Sequence, residues 1–478
     1  MSNLAEEFAN FAIETRYEDL PPSIVHESKR LLLDSIGCAL GGIRTAPGEM
    51  AIKLAKRLGG LPESSIIGVN GKVSCSGAAL ANGQLINALD YDAVTAGGHA
   101  PPYVVAGVLA MAESTNASGK DLILANAVGF ELSARVLNAT HRASPSGRQG
   151  LKRQDRQGYA NCNFGVVAGA GILLKLDIEK MINALGLAGH MCQVLTWQRF
   201  NYSATIYGTR PMSKYGMPGW QNTGGIMAAL LAEMGYMGDS EVFDTEEGFW
   251  KFAGYSEWDP EIARKGLGKT WSFEDSPYKP YPSCGVLHCT IDCFQEVMET
   301  NHLKPEEIES IQVFRGKPSP PGSPGQIKGQ ELTNVVDFQF TLPYILGVVA
   351  YGVKIGPEWQ DMDKMKDPRV LNFAKKVSLQ DVPEASKRPS LNIVEVKAKG
   401  KTFRAEKTQP LYGRGGEKQL NDEQLAIKFK ENALRILTCE KIERALDYLL
   451  NLEKVASTVE ILEQVTPQEN GDSWNGTI

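Results

Sequence analysis

The stretch SIVHESKRLLLDSIGCALGGI (residues 23–43) places its apolar residues at helical spacing and ends in Gly41-Gly42, a natural helix stop. The pattern spreads outward from there. GEMAIKLAKRLGG (48–60), VVAGVLAMAESTNASG (104–119) and DLILANAVGFELSARVLNAT (121–140) follow the same logic, with small residues on the apolar face of the last two. NFGVVAGAGILLKLD (163–177) and TGGIMAALLAEMGYMGD (223–239) are Gly/Ala-rich and nearly free of polar residues inside, which predicts closely approaching central helices of a bundle. The texture changes near residue 270. IESIQVFRG (308–316) and LNIVEVKAKGKTFRAEK (391–407) alternate as strands do, SPPGSPGQIKGQ (319–330) reads as a loop, and VVDFQFTLPYILGVVAYGV (335–353) reads as one helical run. Helical patterns return in NDEQLAIKFKENALRIL (421–437) and EKIERALDYLLNLEKV (440–455). The expected fold is mainly α. A large all-α helical domain, residues 1–268 and 418–478, is interrupted by a smaller α+β domain, residues 269–417, inserted before the C-terminal helices. A cleft at that boundary is the natural place for a ligand.

With 478 residues, 42% hydrophobic and 22% charged, the chain has an ordinary globular composition and core enough for two domains. Its net charge of −6 argues against a nucleic-acid footprint. MSNLAEEFANFAIETRYEDLPP (1–22) lacks the basic start and apolar run of a signal peptide. No stretch reaches the roughly 18–20 uninterrupted apolar residues of a membrane span. The eight cysteines are scattered rather than arranged as a disulfide framework. A cytoplasmic, reduced setting is expected, with neither nucleic acid nor membrane as a partner.

Chemistry-bearing residues concentrate in ALDYDAVTAGGHAPPYVVAG (88–107), where Asp90, Asp92 and His99 crowd together between two apolar helical runs. A metal site, an acid/base pair and simple helix caps all fit that spacing. RPMSKYGMPGWQNTGG (210–225) sets Arg210 and Lys214 in a Gly/Pro-rich bend before a helix expected to begin near Gln221, an arrangement suited to an anion. YKPYPSCGVLHC (278–289) adds Lys279, Cys284 and His288 at the start of the second domain, and GRQGLKRQDRQG (147–158) is a basic loop. The C-x4-C-x3-C spacing of Cys284, Cys289 and Cys293 matches none of the usual zinc or iron–sulfur patterns. GLGKT (266–270) lacks the earlier glycine of a phosphate loop, where Ala263 stands, and is expected to be a turn. No metal and no cofactor is expected.

LLLDSIGCALGG (31–42), ALANGQLINALDYD (79–92) with GGHAPP (97–102), SKYGMPGWQNTGGIMAALLAEMGYMGD (213–239), YKPYPSC (278–284) and DFQFTLPYILG (337–347) occur in the order and spacing of the MmgE/PrpD family, which the chain resembles from about residue 5 to 465. The resemblance implies a large all-α domain, a smaller α+β lid and a homodimer. It implies proton transfer beside a carboxylate of a small polycarboxylate without metal, cluster or nucleotide. Carried over by position, Asp90, His99, Lys214, Lys279 and Cys284 are the expected catalytic residues. Asp92, Arg210, Tyr159 and His288 are expected around the substrate. In this scheme Asp90 orients His99, and Lys214 and Lys279 grip substrate carboxylates.

Departures from the family pattern are equally specific. Ala93 stands for the last Asp of an Asp-x-Asp-Asp motif, Met217 for a histidine after the lysine, and Gly285 for an arginine. GYANCNFG (158–165) replaces a histidine-bearing turn, and Cys284 occupies a position held by histidine in the decarboxylases. The resulting expectation is a 2-methylcitrate-dehydratase-like hydro-lyase. The alternatives are a cis-aconitate-type decarboxylase, an epimerase of a substituted dicarboxylate, and a non-catalytic relative that binds a polyanion.

Overall fold

Helix after helix begins at a side-chain cap. Ser74 accepts from the Gly77 N–H to start Cys75–Asn87, Ser118 and Asp121 cap each other reciprocally at Gly119–Ala139, and Asp177 opens Ile178–His190. The computed structural model describes residues 3–95, 98–140, 159–194, 196, 199–200, 203–204, 208–255, 257–315, 332–381, 391–413 and 415–467. The segments expected as loops at 147–158 and 319–330 lie outside the described residues.

The helices Pro22–Gly42, Cys75–Asn87, Ala100–Ser114, Gly119–Ala139, Cys162–Leu173 and Pro218–Glu233 form the centre of the helical part. Small residues set how closely they approach. A Cβ on Gly165 would lie 2.3 Å from the Gly129 carbonyl oxygen, so Gly119–Ala139 and Cys162–Leu173 touch backbone to backbone. Gly119–Ala139 is 21 residues long and apolar enough to cross a membrane, yet it is largely buried among its neighbours and carries the buried Glu131–Arg135 ion pair. Arg135 also donates to the carbonyls of Gly266 and Thr270, so the GLGKT turn presents carbonyl oxygens to an arginine.

One apolar cluster joins residues between Leu4 and Tyr278 to Leu420, Leu425, Phe429 and others as far as Val465, so the C-terminal helices pack with the N-terminal ones. A second cluster, from Tyr281 to Ala405, lies between a four-stranded mixed sheet and the helices His288–Thr300 and Leu342–Ala350. A small antiparallel ladder pairs β1, Ser64–Ser65, with β2, Lys72–Val73, and the order of the larger sheet is β4-β3-β5-β6, where β3 is Ile308–Arg315, β4 Val377–Asp381, β5 Asn392–Ala398 and β6 Lys401–Lys407. β3 pairs parallel with β4 and antiparallel with β5. β5 and β6 form a hairpin whose turn, Lys399-Gly400, has φ of 54° and 69°, the left-handed pair a tight hairpin demands.

Two expected elements differ. The run at 335–353 is two helices, Val335–Gln339 and Leu342–Ala350. Pro343 has no N–H for the Gln339 carbonyl, which accepts instead from the Cys284 N–H at 3.0 Å. The helix expected near Gln221 starts at Pro218, where a proline loses nothing in the first turn.

Candidate functional site

The chain leaves the helix Cys75–Asn87 and turns at Asp90, whose φ of 54° is left-handed. Aspartate is one of the few residues that tolerate this. The turn aims its carboxylate at two lysines distant in sequence. Oδ1 lies 3.3 Å from Lys214 Nζ, and Oδ2 lies 3.0 Å from Lys279 Nζ. Lys214 also donates to the Asn87 carbonyl and Lys279 to the Asp90 carbonyl, each at 2.7 Å. Lys214 itself has φ of 51°, so two left-handed, non-glycine residues face each other across one ion pair. Unfavourable backbone of this kind persists only where surrounding structure imposes it, and it gathers at functional sites.

All three groups are buried. Burial pushes the Asp90 carboxyl up, but Lys279, Lys214 and His99 together hold it well below the usual carboxylate range. Burial pulls Lys279 down, and Asp90 and Asp92 more than reverse this. For Lys214 burial prevails over the same carboxylates, with Lys279 adding repulsion, so its ammonium sits below its ordinary value.

Asp92 serves the imidazole. Its Oδ2 is 3.0 Å from His99 Nδ1, and Asn87 Nδ2 donates to its Oδ1 at 3.3 Å. Burial raises Asp92, while the hydrogen bond and charge of His99 bring it below its ordinary value. An ionised acceptor at Nδ1 places the proton there and leaves the lone pair on Nε2. Burial, with Lys279 adding to it, lowers the His99 pKa against the pull of Asp92, so the ring is a neutral base near pH 7. The ring stacks on Tyr215 at 5.6 Å and meets Tyr159 edge-on at 6.0 Å. Gly98, with φ of 86°, makes room for that edge, because a Cβ there would lie 2.4 Å from Tyr159 Cε1.

The other expected residues fall into two groups. The Arg210 guanidinium is buried over Phe340 and Phe200, 5.4 and 5.9 Å from their ring centres, and its charge reaches Cys284. Burial and Asp90 push the Cys284 thiol up to about 11, so it stays protonated. His288 is buried and held by the backbone. Its Nε2 lies 3.2 Å from the Ser283 carbonyl oxygen, Tyr281 packs against it, and burial aided by Lys279 pushes its pKa down to about 3. Cys289 and Cys293 are buried one turn apart in the helix His288–Thr300. Among the described residues no three His, Cys, Asp or Glu side chains are grouped as metal ligands.

The geometry departs from the expected scheme at one point. The orienting carboxylate of His99 is Asp92 rather than Asp90, because the left-handed turn points Asp90 at the lysines. Lys214 and Lys279 each commit two ammonium hydrogens to the bend, leaving one apiece for a ligand. Four further residues support the bend and escaped the sequence reading. Asp34 accepts from the Ala93 N–H at 3.0 Å, and Lys428 donates to the Tyr91 carbonyl at 2.7 Å. Gln339 donates to the Ala88 carbonyl at 2.6 Å and Gln360 to the Leu89 carbonyl at 2.7 Å. Asp34 alone left a signal, a charge inside the apolar run LLLDSIGCAL (31–40).

A carboxylate-backed imidazole beside two buried ammonium groups can move a proton to or from a bound anion. The chain belongs to the MmgE/PrpD family: residues 6–261 match its N-terminal domain and residues 281–454 its C-terminal domain. It is 25% identical to the cis-aconitate decarboxylase of Homo sapiens over 471 residues, 95% of this chain and 92% of that protein. It is 24% identical to the cis-aconitate decarboxylase of Aspergillus terreus over 493 residues, covering 97% of this chain and 96% of that one. A cis-aconitate decarboxylase-like protein of Aspergillus oryzae is 24% identical over 487 residues, 97% of each chain.

Proposed function

We propose that this chain is a lyase that transfers a proton beside a carboxylate of a small polycarboxylate, and that its reaction is loss of carbon dioxide from a cis-aconitate-like acid. The observation that carries the reading is the Asp92–His99 pair set beside Asp90, Lys214 and Lys279. The preference for decarboxylation over the expected hydro-lyase rests on the similarity to proteins named as cis-aconitate decarboxylases.

The charges support an anionic substrate. Asp90 and Asp92 balance Lys214 and Lys279, and Asp337 faces Arg210, so a proton on His99 gives the site its net positive charge. A bound polyanion raises the pKa of His99 and converts the ring to its acid form. In decarboxylation the bond to one carboxylate carbon breaks and carbon dioxide leaves. The electron pair stays on the allylic carbon framework, stabilised by the remaining cations, and His99 Nε2–H supplies the proton that quenches it. The chemistry uses only the chain's own residues.

A second reading is favoured by the lowered pKa of His99. A neutral Nε2 is poised to remove a proton next to a carboxylate, the first demand of a methylcitrate-type dehydration or of an epimerisation. Both readings include a sheet-bearing lid at 269–417, a cytoplasmic setting and a homodimer. Trp220, Met227 and Met234 are exposed at seven-residue intervals along the helix Pro218–Glu233 and its cap, an apolar stripe that a second copy would cover.

Proton NMR in deuterated water, with a panel of di- and tricarboxylates, separates these outcomes. The expected result is loss of carbon dioxide from a cis-aconitate-like acid with one deuterium entering the product. Water elimination from a hydroxy-tricarboxylate would establish the hydro-lyase, and deuterium exchange with inversion the epimerase. No change in any acid would leave a polyanion-binding protein without catalysis.

A further inference from the structure

Behind the bend lies a second buried ion pair that makes no hydrogen bond to Asp90, Asp92 or His99. Lys428, on the helix Asp422–Ala433, is 6% exposed, and its Nζ lies 2.7 Å from Asp34 Oδ1 on the helix Pro22–Gly42. The same ammonium donates to the Tyr91 carbonyl at 2.7 Å and to the Lys279 carbonyl at 3.2 Å, and it rests 3.8 Å from the centre of the Tyr91 ring. The other oxygen of Asp34 accepts from the Ala93 N–H at 3.0 Å. The pair thus grips the backbone on both sides of Asp92 and the backbone of the lysine that holds Asp90.

We infer that Lys428, together with Asp34, is a positioning residue that sets the distance between the Asp92–His99 pair and the Lys279–Asp90 pair. The physical case is one of convergence. Tyr91 and Lys279 are far apart in sequence, yet Asp90, next to Tyr91, and the Lys279 ammonium must meet within hydrogen-bonding distance. One ammonium bonded to both carbonyls fixes the two segments relative to each other. A buried ion pair is a poor source of net stability, since desolvation offsets most of its attraction. Here its bonds are directed at two short segments that carry the functional side chains. Misplacement of reacting groups by about an ångström costs roughly 100-fold in rate. This inference rests on the proposed reading of the site as a proton-transfer centre.

The test compares wild type with the double variant Asp34→Asn/Lys428→Met. It removes both charges together and leaves no buried charge unpaired, while Asn keeps an acceptor for the Ala93 N–H. Two readouts are taken: kcat and KM on the acid that wild type turns over, and amide hydrogen exchange by mass spectrometry. The expected result is a fall in kcat of about 100-fold with KM within about threefold of wild type. Amides at 91–95 and at Tyr278, Lys279 and Tyr281 should exchange faster, while those of the helix Asp422–Ala433 stay protected. Wild-type kcat with unchanged protection at 91–95 would overturn the inference, as would loosening confined to the helix Asp422–Ala433. Should the double variant not fold, Lys428→Arg keeps the charge pair while moving its donors off the two carbonyls, and the same pattern is required of it. If wild type turns over no carboxylate, the reading of the function fails, and the exchange result alone still decides the positioning.

Discussion

Asp92 Oδ2 lies 3.0 Å from His99 Nδ1, and this contact decides which nitrogen of the ring keeps its lone pair. With the proton held at Nδ1, Nε2 keeps the lone pair and is the working atom of the proposed reaction. Asp92→Asn keeps the shape but can donate to Nδ1, which favours the opposite tautomer and puts a hydrogen on Nε2. The expected effect is a loss of about 10²–10⁴ in kcat with KM little changed, measured by steady-state kinetics across pH. An equal rise in KM with kcat intact would make Asp92 a substrate contact instead.

Asp90 is the single carboxylate between two buried ammonium groups. Asp90→Asn is the clean variant, because Asn also tolerates the left-handed φ of 54° while removing the charge. Breaking a buried pair costs about 3–5 kcal/mol, and urea unfolding should show a loss of that size. Asp90→Ala should lose about 1–2 kcal/mol more through the backbone alone. Equal stabilities for the two variants would show that the turn carries no strain.

The bend was legible in the sequence as a place, and less so as a mechanism. Three ionisable residues within ten, between apolar helices, mark Asp90, Asp92 and His99. Which carboxylate meets the ring depends on one backbone angle at Asp90, and no residue pattern states it. The convergence of Lys214 and Lys279 on Asp90 joins segments 124 and 189 residues away, which only tertiary packing brings together. Helices declared themselves through spacing and small residues. The break at Pro343 is masked because the apolar run continues across it, and β4 is hard to read because its alternation, Val377-Ser378-Leu379-Gln380, is only four residues long and follows closely on the helix Pro368–Ala374. Lys428 is one of several charges in an amphipathic helix, and only tertiary packing sets it apart as buried.

His288 gives the stability a pH dependence of definite sign. Its folded pKa of about 3 lies below the ordinary value of 6.5, so the unfolded chain binds the extra proton between those limits. Its contribution is complete above pH 6.5 and is lost as pH falls toward 3, at up to about 1.4 kcal/mol per pH unit. The His99 shift has the same sign. Urea midpoints followed from pH 7 to pH 4 should fall less steeply for His288→Gln than for wild type. Parallel curves would mean that His288 is not buried as a neutral ring.

Cys284 remains a thiol at neutral pH because burial and Asp90 push its pKa up to about 11. Cys284→Ala should therefore keep the proton-transfer chemistry, with kcat within about tenfold of wild type. Iodoacetamide should modify it slowly at pH 8. A complete loss of turnover in the alanine variant, with substrate still bound, would make the sulfur part of the chemistry.

The most direct measurement of the central claim uses His99→Gln in deuterated water with the acid that wild type converts. Binding is followed by calorimetry and deuterium incorporation by proton NMR. The account predicts affinity within about tenfold of wild type, since Lys214, Lys279 and Arg210 remain, and no deuterium in any carbon position. Deuterium incorporation at the wild-type rate in the absence of the imidazole would contradict it.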